Sequence, residues 1–99
     1  MIRIWAKKMK RSRMLEDYVA ENRREDEDFY TRLEDCMEEI CHRMDLAKPL
    51  WLDSNYEELN RFHRTRFHQD HFIEPIPFDY LEIEIIEMDD QKCRQKNSL

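Results

Sequence analysis

Ninety-nine residues, 40% apolar and 40% charged, set the expectation of one domain with a modest core under a heavily charged surface. There is no glycine, which excludes the P-loop, the dinucleotide-binding fingerprint and the hydrolase nucleophile elbow, because each needs glycine to make its turn or let backbone approach closely. The formal net charge of −6 is laid down in blocks: residues 1–24 carry eight bases and three acids, residues 25–58 three bases and twelve acids, and residues 72–90 seven acids and no base.

Alternating blocks of this kind predict pairing between segments and solvated faces in preference to a partner-directed field. No run approaches the ~18 consecutive apolar residues of a membrane span. The opening MIRIWAKKMKRSR has neither a signal-like apolar stretch nor a small-residue cleavage site. Cys36, Cys41 and Cys93 are odd in number and follow no framework spacing, which predicts reduced thiols and a cytoplasmic setting. Turns that need positive φ are expected to use Asn or Asp.

In chain order, Ile2–Met9 alternates Ile2, Ile4 and Ala6 against Arg3, Trp5 and Lys7, which is strand periodicity. Lys10–Arg13 fits a hairpin connection, though it lacks Asn-Gly, and Met14–Glu21 follows as a second strand. A long helix is expected near residues 26–45 with Asp26 as N-cap. Phe29, Leu33, Cys36, Met37, Ile40 and Met44 form its inward stripe, and Arg32, Glu34, Asp35, Glu38, Glu39 and Arg43 face out. Pro49 breaks the chain and Trp51 anchors the loop. The SNYE stretch reads as a capping box opening a short helix through about Arg61, with Leu59 and Phe62 turned inward. Seven of the eleven aromatics lie between residues 51 and 80, which predicts a long irregular cover nailed to the core by large side chains. Asp79–Met88 then alternates Leu81, Ile83 and Ile85 against Glu82 and Glu84, the clearest strand of the chain.

The order β-β-α-α-β points to an α+β fold. The expected architecture is a three-stranded antiparallel sheet, order 2-1-3, with one long and one short helix on one face. It occupies residues 1–88 as a single domain, and 89–99 form a flexible polar tail. On the open face Arg3 and Lys7 lie across from Glu82 and Glu84. Trp5 sits among them, as a contact patch or flat under basic stems.

The stretch HRTRFHQDHF, His63–Phe72, concentrates the chemistry. His68, Asp70 and His71 are weak candidates for a metal site. Their spacing with His63, H-x4-H-x2-H, matches no established ligand pattern. Arg64 and Arg66, with Arg61 and the interleaved Phe62 and Phe67, combine charge and stacking surface in the manner of single-strand nucleic-acid binders, and the basic hairpin adds to them. The acidic total opposes that reading. Candidate binding residues are therefore His63, Arg64, Arg66, His68, His71 and Trp5. No catalytic pair stands out, because Cys36 falls in the core and carboxylates are abundant everywhere.

The segments KPLWLDS and RTRFHQDHFIEPIPFDYLEIEIIE resemble a family of short uncharacterised proteins of clostridial-type Firmicutes, with similarity running from Ile2 to about Glu87. That resemblance implies a bacterial cytosolic protein of this length and transfers no activity, cofactor or catalytic residue. Glycine stands in similar sequences where this chain has Ala6. The expected function is a small non-enzymatic protein-interaction module without cofactor, homodimeric through the open sheet face or the edge of the last strand. Nucleic-acid binding through residues 61–72 and the hairpin is the alternative. A third reading is an acidic protein of a mobile element that occupies a basic site on a nucleic-acid enzyme.

Overall fold

The period-two stretches at both ends of the chain form the sheet and the 3.6-period stretches between them form its cover. The computed structural model describes residues 1–88. The tail expected at 89–99 lies outside these residues. The elements are β1 (Ile2–Lys10), β2 (Arg13–Asn22), α1 (Phe29–Arg43), α2 (Asp53–Phe62), β3 (Arg64–Phe67), a 3-10 turn (Gln69–His71) and β4 (Tyr80–Glu87). The sheet is antiparallel and four-stranded, order β2-β1-β4-β3. No helix among the described residues is long and apolar enough to cross a membrane.

The α+β class and the placement of the last strand beside the first agree with the sequence. The number of strands does not. Arg64–Phe67, expected as irregular cover, pairs with β4 through Arg64–Glu84 and Phe67–Leu81. Four residues with Thr65 and Phe67 inward and Arg64 and Arg66 outward are too short a run for periodicity to reveal. β4 is therefore an inner strand, and the free apolar edge expected of it does not exist. The helices are also more even than expected, at 15 and 10 residues.

The core is continuous. Ile2, Ile4 and Ala6 of β1 and Leu81 and Ile83 of β4 are fully buried against Leu33, Cys36, Met37 and Ile40 of α1. Each leucine, isoleucine and methionine among them contributes about 1.5–3 kcal/mol by leaving water. Cys41 joins them, and burial pushes the Cys36 and Cys41 thiols up to about 11, so both are poor nucleophiles. Arg32, expected outside, is buried at 3%, because its Nη2 donates to the Asn22 carbonyl that ends β2, at 3.2 Å.

Local signals explain the ends of the elements. The N-cap of α1 is Asp28 and not Asp26: its carboxylate accepts the Thr31 N–H at 2.8 Å, which holds the acid below the usual carboxylate range. At the other end Lys8 Nζ donates to the Met44 carbonyl at 3.1 Å. The hairpin tip places Arg11 and Ser12 both at positive φ, the type I′ pattern that matches strand twist. Asp45 and His63 also have positive φ, so among these four turn residues only Asp45 is of the expected type.

The open face of the sheet is a lattice of opposite charges. Lys7 Nζ lies 3.0 Å from Glu82 and 3.2 Å from Glu84, and Arg66 Nε lies 2.9 Å from Glu82. Arg3 bridges Glu21 on β2 and Glu87 on β4, at 3.3 and 3.6 Å. Burial alone would raise the Glu82 carboxyl, but the bonds from Lys7 and Arg66 outweigh it and hold the group below 4.5. Replacing Glu82 by Gln is expected to cost about 1–3 kcal/mol at neutral pH, since two charged donors lose an ionised partner. A group with a lowered folded value stabilises above its ordinary value and loses that effect as acid is added. The difference between Glu82→Gln and the parent, read by urea unfolding, therefore stays full above pH 4.5 and closes below it.

Candidate functional site

α2 divides two surfaces. At ~100° per residue, Asn55 and Leu59 form its buried stripe, both being 2% exposed. Ser54, Glu58 and Phe62 fall on one flank, and Leu52, Tyr56 and Asn60 on the other.

The Asn55 amide positions the helix. Its Oδ1 accepts the Leu52 N–H at 2.9 Å, and its Nδ2 donates to Thr65 Oγ1 at 2.8 Å and to the Arg66 carbonyl at 3.1 Å. The expected Ser54–Glu57 box is replaced by this arrangement, with Leu52 as N-cap. At the C-terminus His63 takes the left-handed conformation, donates its N–H to the Leu59 carbonyl and accepts the Ile85 N–H at 2.7 Å. Its backbone thus ends the helix and starts β3.

On the first flank lies a groove of about 510 Å³, lined by Ser54, Asn55, Glu58, Phe62, Arg64, Thr65, Arg66, His68 and His71. The structure therefore gathers four of the expected residues, Arg64, Arg66, His68 and His71. His63 is absent from the lining, and Trp5 stands on β1, separated from β3 by β4. Trp5 Nε1 donates to Asp17 at 2.8 Å and Lys7 Nζ sits 4.0 Å from the ring centre, so a basic stem covers it. Phe62, expected inward, is 58% exposed, because the groove and not the core lies beneath the last turn of α2.

The groove walls are held in place. Glu58 accepts the Thr65 hydroxyl at 2.5 Å. The Arg66 guanidinium lies over the Tyr80 ring at 4.5 Å and is bound to Glu82 through Nε alone. That bond, working against burial, raises the guanidinium above its ordinary value. The His71 ring meets the edge of buried Phe67, and its Nδ1 accepts the His68 N–H at 3.0 Å. A nitrogen that accepts carries no proton, so this bond places the ring proton on Nε2 in preference to an ion pair with Asp70, 3.2 Å away. Asp70 is 84% exposed, and among the described residues no three His, Cys, Asp or Glu side chains group to hold a metal ion.

The other flank carries a feature that sequence reasoning missed. Tyr30 of α1 meets Tyr56 edge to face at 5.9 Å, Tyr56 stacks on Trp51 at 4.8 Å, and Trp51 meets the buried Phe67 at 5.0 Å. Tyr30 and Tyr56 are exposed, as are Leu50 and Leu52 on either side of Trp51. The Leu50 N–H is pinned to the His71 carbonyl at 2.8 Å. The signal was present as the spacing of Trp51 and Tyr56 across a helix start, but their union with Tyr30 needs the tertiary fold.

No family model, curated protein or solved structure matches the chain.

Truncating Asn55 to Ala removes the side-chain partner of the Arg66 carbonyl and the Leu52 N–H, and leaves the Thr65 hydroxyl with Glu58 alone. The expected loss is about 2–4 kcal/mol. Hydrogen exchange should show faster opening of β3 and of the first turn of α2 than of β1 and β2.

Proposed function

We propose that this protein is a non-enzymatic interaction module that docks a basic protein partner on the platform of Tyr30, Trp51, Tyr56, Leu50 and Leu52. The observation that carries this reading is the unbroken ring series from exposed Tyr30 and Tyr56 through Trp51 to buried Phe67. Tyrosine and tryptophan dominate interface hot spots, and rings anchored to a core lose little freedom on binding.

Charge supports a basic partner. Asp26 and Asp28 precede Tyr30, Asp53 and Glu57 flank Tyr56 on α2, and all four are exposed. A second copy of the same face would bring acid against acid. The remaining long edge, β2, is a poor homodimer seam as well. Its register shifts opposite Lys8 and Met9, and Glu16, Asp17 and Glu21 lie along it, which are features that discourage strand pairing.

A short amphipathic Leu/Lys peptide, fluorescently labelled and followed by anisotropy, tests the reading. Tyr56→Ala and Tyr30→Ala should each weaken binding about tenfold or more, while Arg64→Ala should leave it unchanged. Binding that tracks only total charge and ignores both tyrosines defeats the proposal. Light scattering coupled to size exclusion should report a monomer.

A further inference from the structure

The basic end of the β1–β2 hairpin has no part in the ring platform. β1 meets β4 only as far as Met9, opposite Tyr80, so the last residues of the ribbon run past the end of β4. Every residue from Lys10 to Asp17 is exposed. Lys10, Arg11 and Arg13 place three positive charges within the four-residue tip. Among the described residues none of these three side chains meets a carboxylate, whereas Arg3, Lys7 and Lys8, the other bases of β1, each do.

Folding does not account for this composition. Arg11 and Ser12 hold φ of 53° and 65°, in a turn that favours Asn, Asp and Gly. Lys10 lies directly across from Arg13, and like charges in that position work against a hairpin. The tip therefore keeps its cations at the expense of local stability, and an anionic partner removes their repulsion. The acids beside the tip are already engaged: Glu16 with Lys8, Asp17 with the Trp5 indole and Asp79 with the Arg11 main-chain N–H, each at 2.8 Å.

We propose that the hairpin tip binds duplex DNA, entering the major groove so that Lys10, Arg11 and Arg13 meet backbone phosphates. A two-stranded ribbon fits the ~12 Å width of that groove. The tip carries no ring on which a single-stranded base would stack. The major groove of duplex RNA is too narrow to admit it. An anionic bilayer is a poorer match as well. There apolar side chains must go deepest, but the exposed Met14 and Leu15 follow the cations along β2, one and two residues behind Arg13. Arg64 and Arg66 stand on β3, and β4 separates them from β1. The contact is therefore confined to three phosphates, which position the duplex without reading its sequence.

The test is fluorescence anisotropy of a labelled DNA duplex of about 20 base pairs, titrated with the whole protein over about 20–150 mM NaCl. Three phosphate contacts give a slope of about −2.7 for log K against log salt. Arg11→Gln and Arg13→Gln should each weaken binding about threefold or more at low salt and flatten the slope by about 0.9. Arg11→Asn combined with Ser12→Gly restores the favoured turn. It should raise the urea midpoint while weakening DNA binding, a split that a purely structural role of the tip does not produce. Tyr56→Ala should bind DNA as the parent does, which keeps this result separate from the platform. As competitors, duplex RNA and single-stranded DNA of the same sequence, polyglutamate and phosphatidylserine vesicles should each be at least about threefold less effective than the DNA duplex. The proposal is overturned by no saturable anisotropy change at low salt, by a slope near zero, by tip variants without effect on binding, or by any of these competitors matching the DNA duplex.

Discussion

One buried amide ties α2 to the edge of the sheet. Asn55 sits where α2 begins, and its three hydrogen bonds join the helix start to both the hydroxyl and the main chain of β3. A buried polar group is tolerated only when its capacity is met, and here meeting it fixes the angle at which α2 crosses the sheet edge. The groove and the ring platform are the two sides of that helix. Their geometry follows from the same three bonds, so neither surface can shift without the other.

The sheet behind them is organised by charge. Lys7, Glu82, Glu84 and Arg66 form a connected set across three strands, and Arg3 repeats the pattern one row along. Self-neutralisation removes the open face as a site of strong field and leaves Trp5 packed under Lys7. The acids of α1 are answered differently: Glu39 accepts from Tyr18, whose ring also receives Arg43, and Glu34 meets Lys48. Asp35 and Glu38 stay exposed.

Much of this was legible from residue patterns. The alternation of Ile2, Ile4 and Ala6 and of Leu81, Ile83 and Ile85 marks strands that bury those faces, and the stripe of Leu33, Cys36, Met37 and Ile40 marks α1. Periodicity fails where elements are short. β3 offers two inward residues, and the pairing that makes it a strand comes from β4, far along the chain. Phe62 and Arg32 were misplaced for a related reason, since helical angle says which way a side chain leaves the axis and not what lies beneath it. The histidines converged only in part. His68 and His71 meet at the groove end, while the contribution of His63 is the left-handed main chain that ends α2. The ring platform joins residues of α1, the loop and α2, and no local window contains all three.

The position of β4 has one more consequence. It is the last strand among the described residues, yet it lies between β1 and β3. The hairpin of β1 and β2 closes locally through a two-residue tip, whereas the β1–β4 seam joins residues nearly the full described length apart. Non-local closure is slow, because the loop entropy is lost before the contacts form. During that interval the inner side of β1 carries bare hydrogen-bonding groups next to Ile2 and Ile4. β4 is the strand that covers this seam, so a variant that weakens its docking exposes a pairing edge on β1.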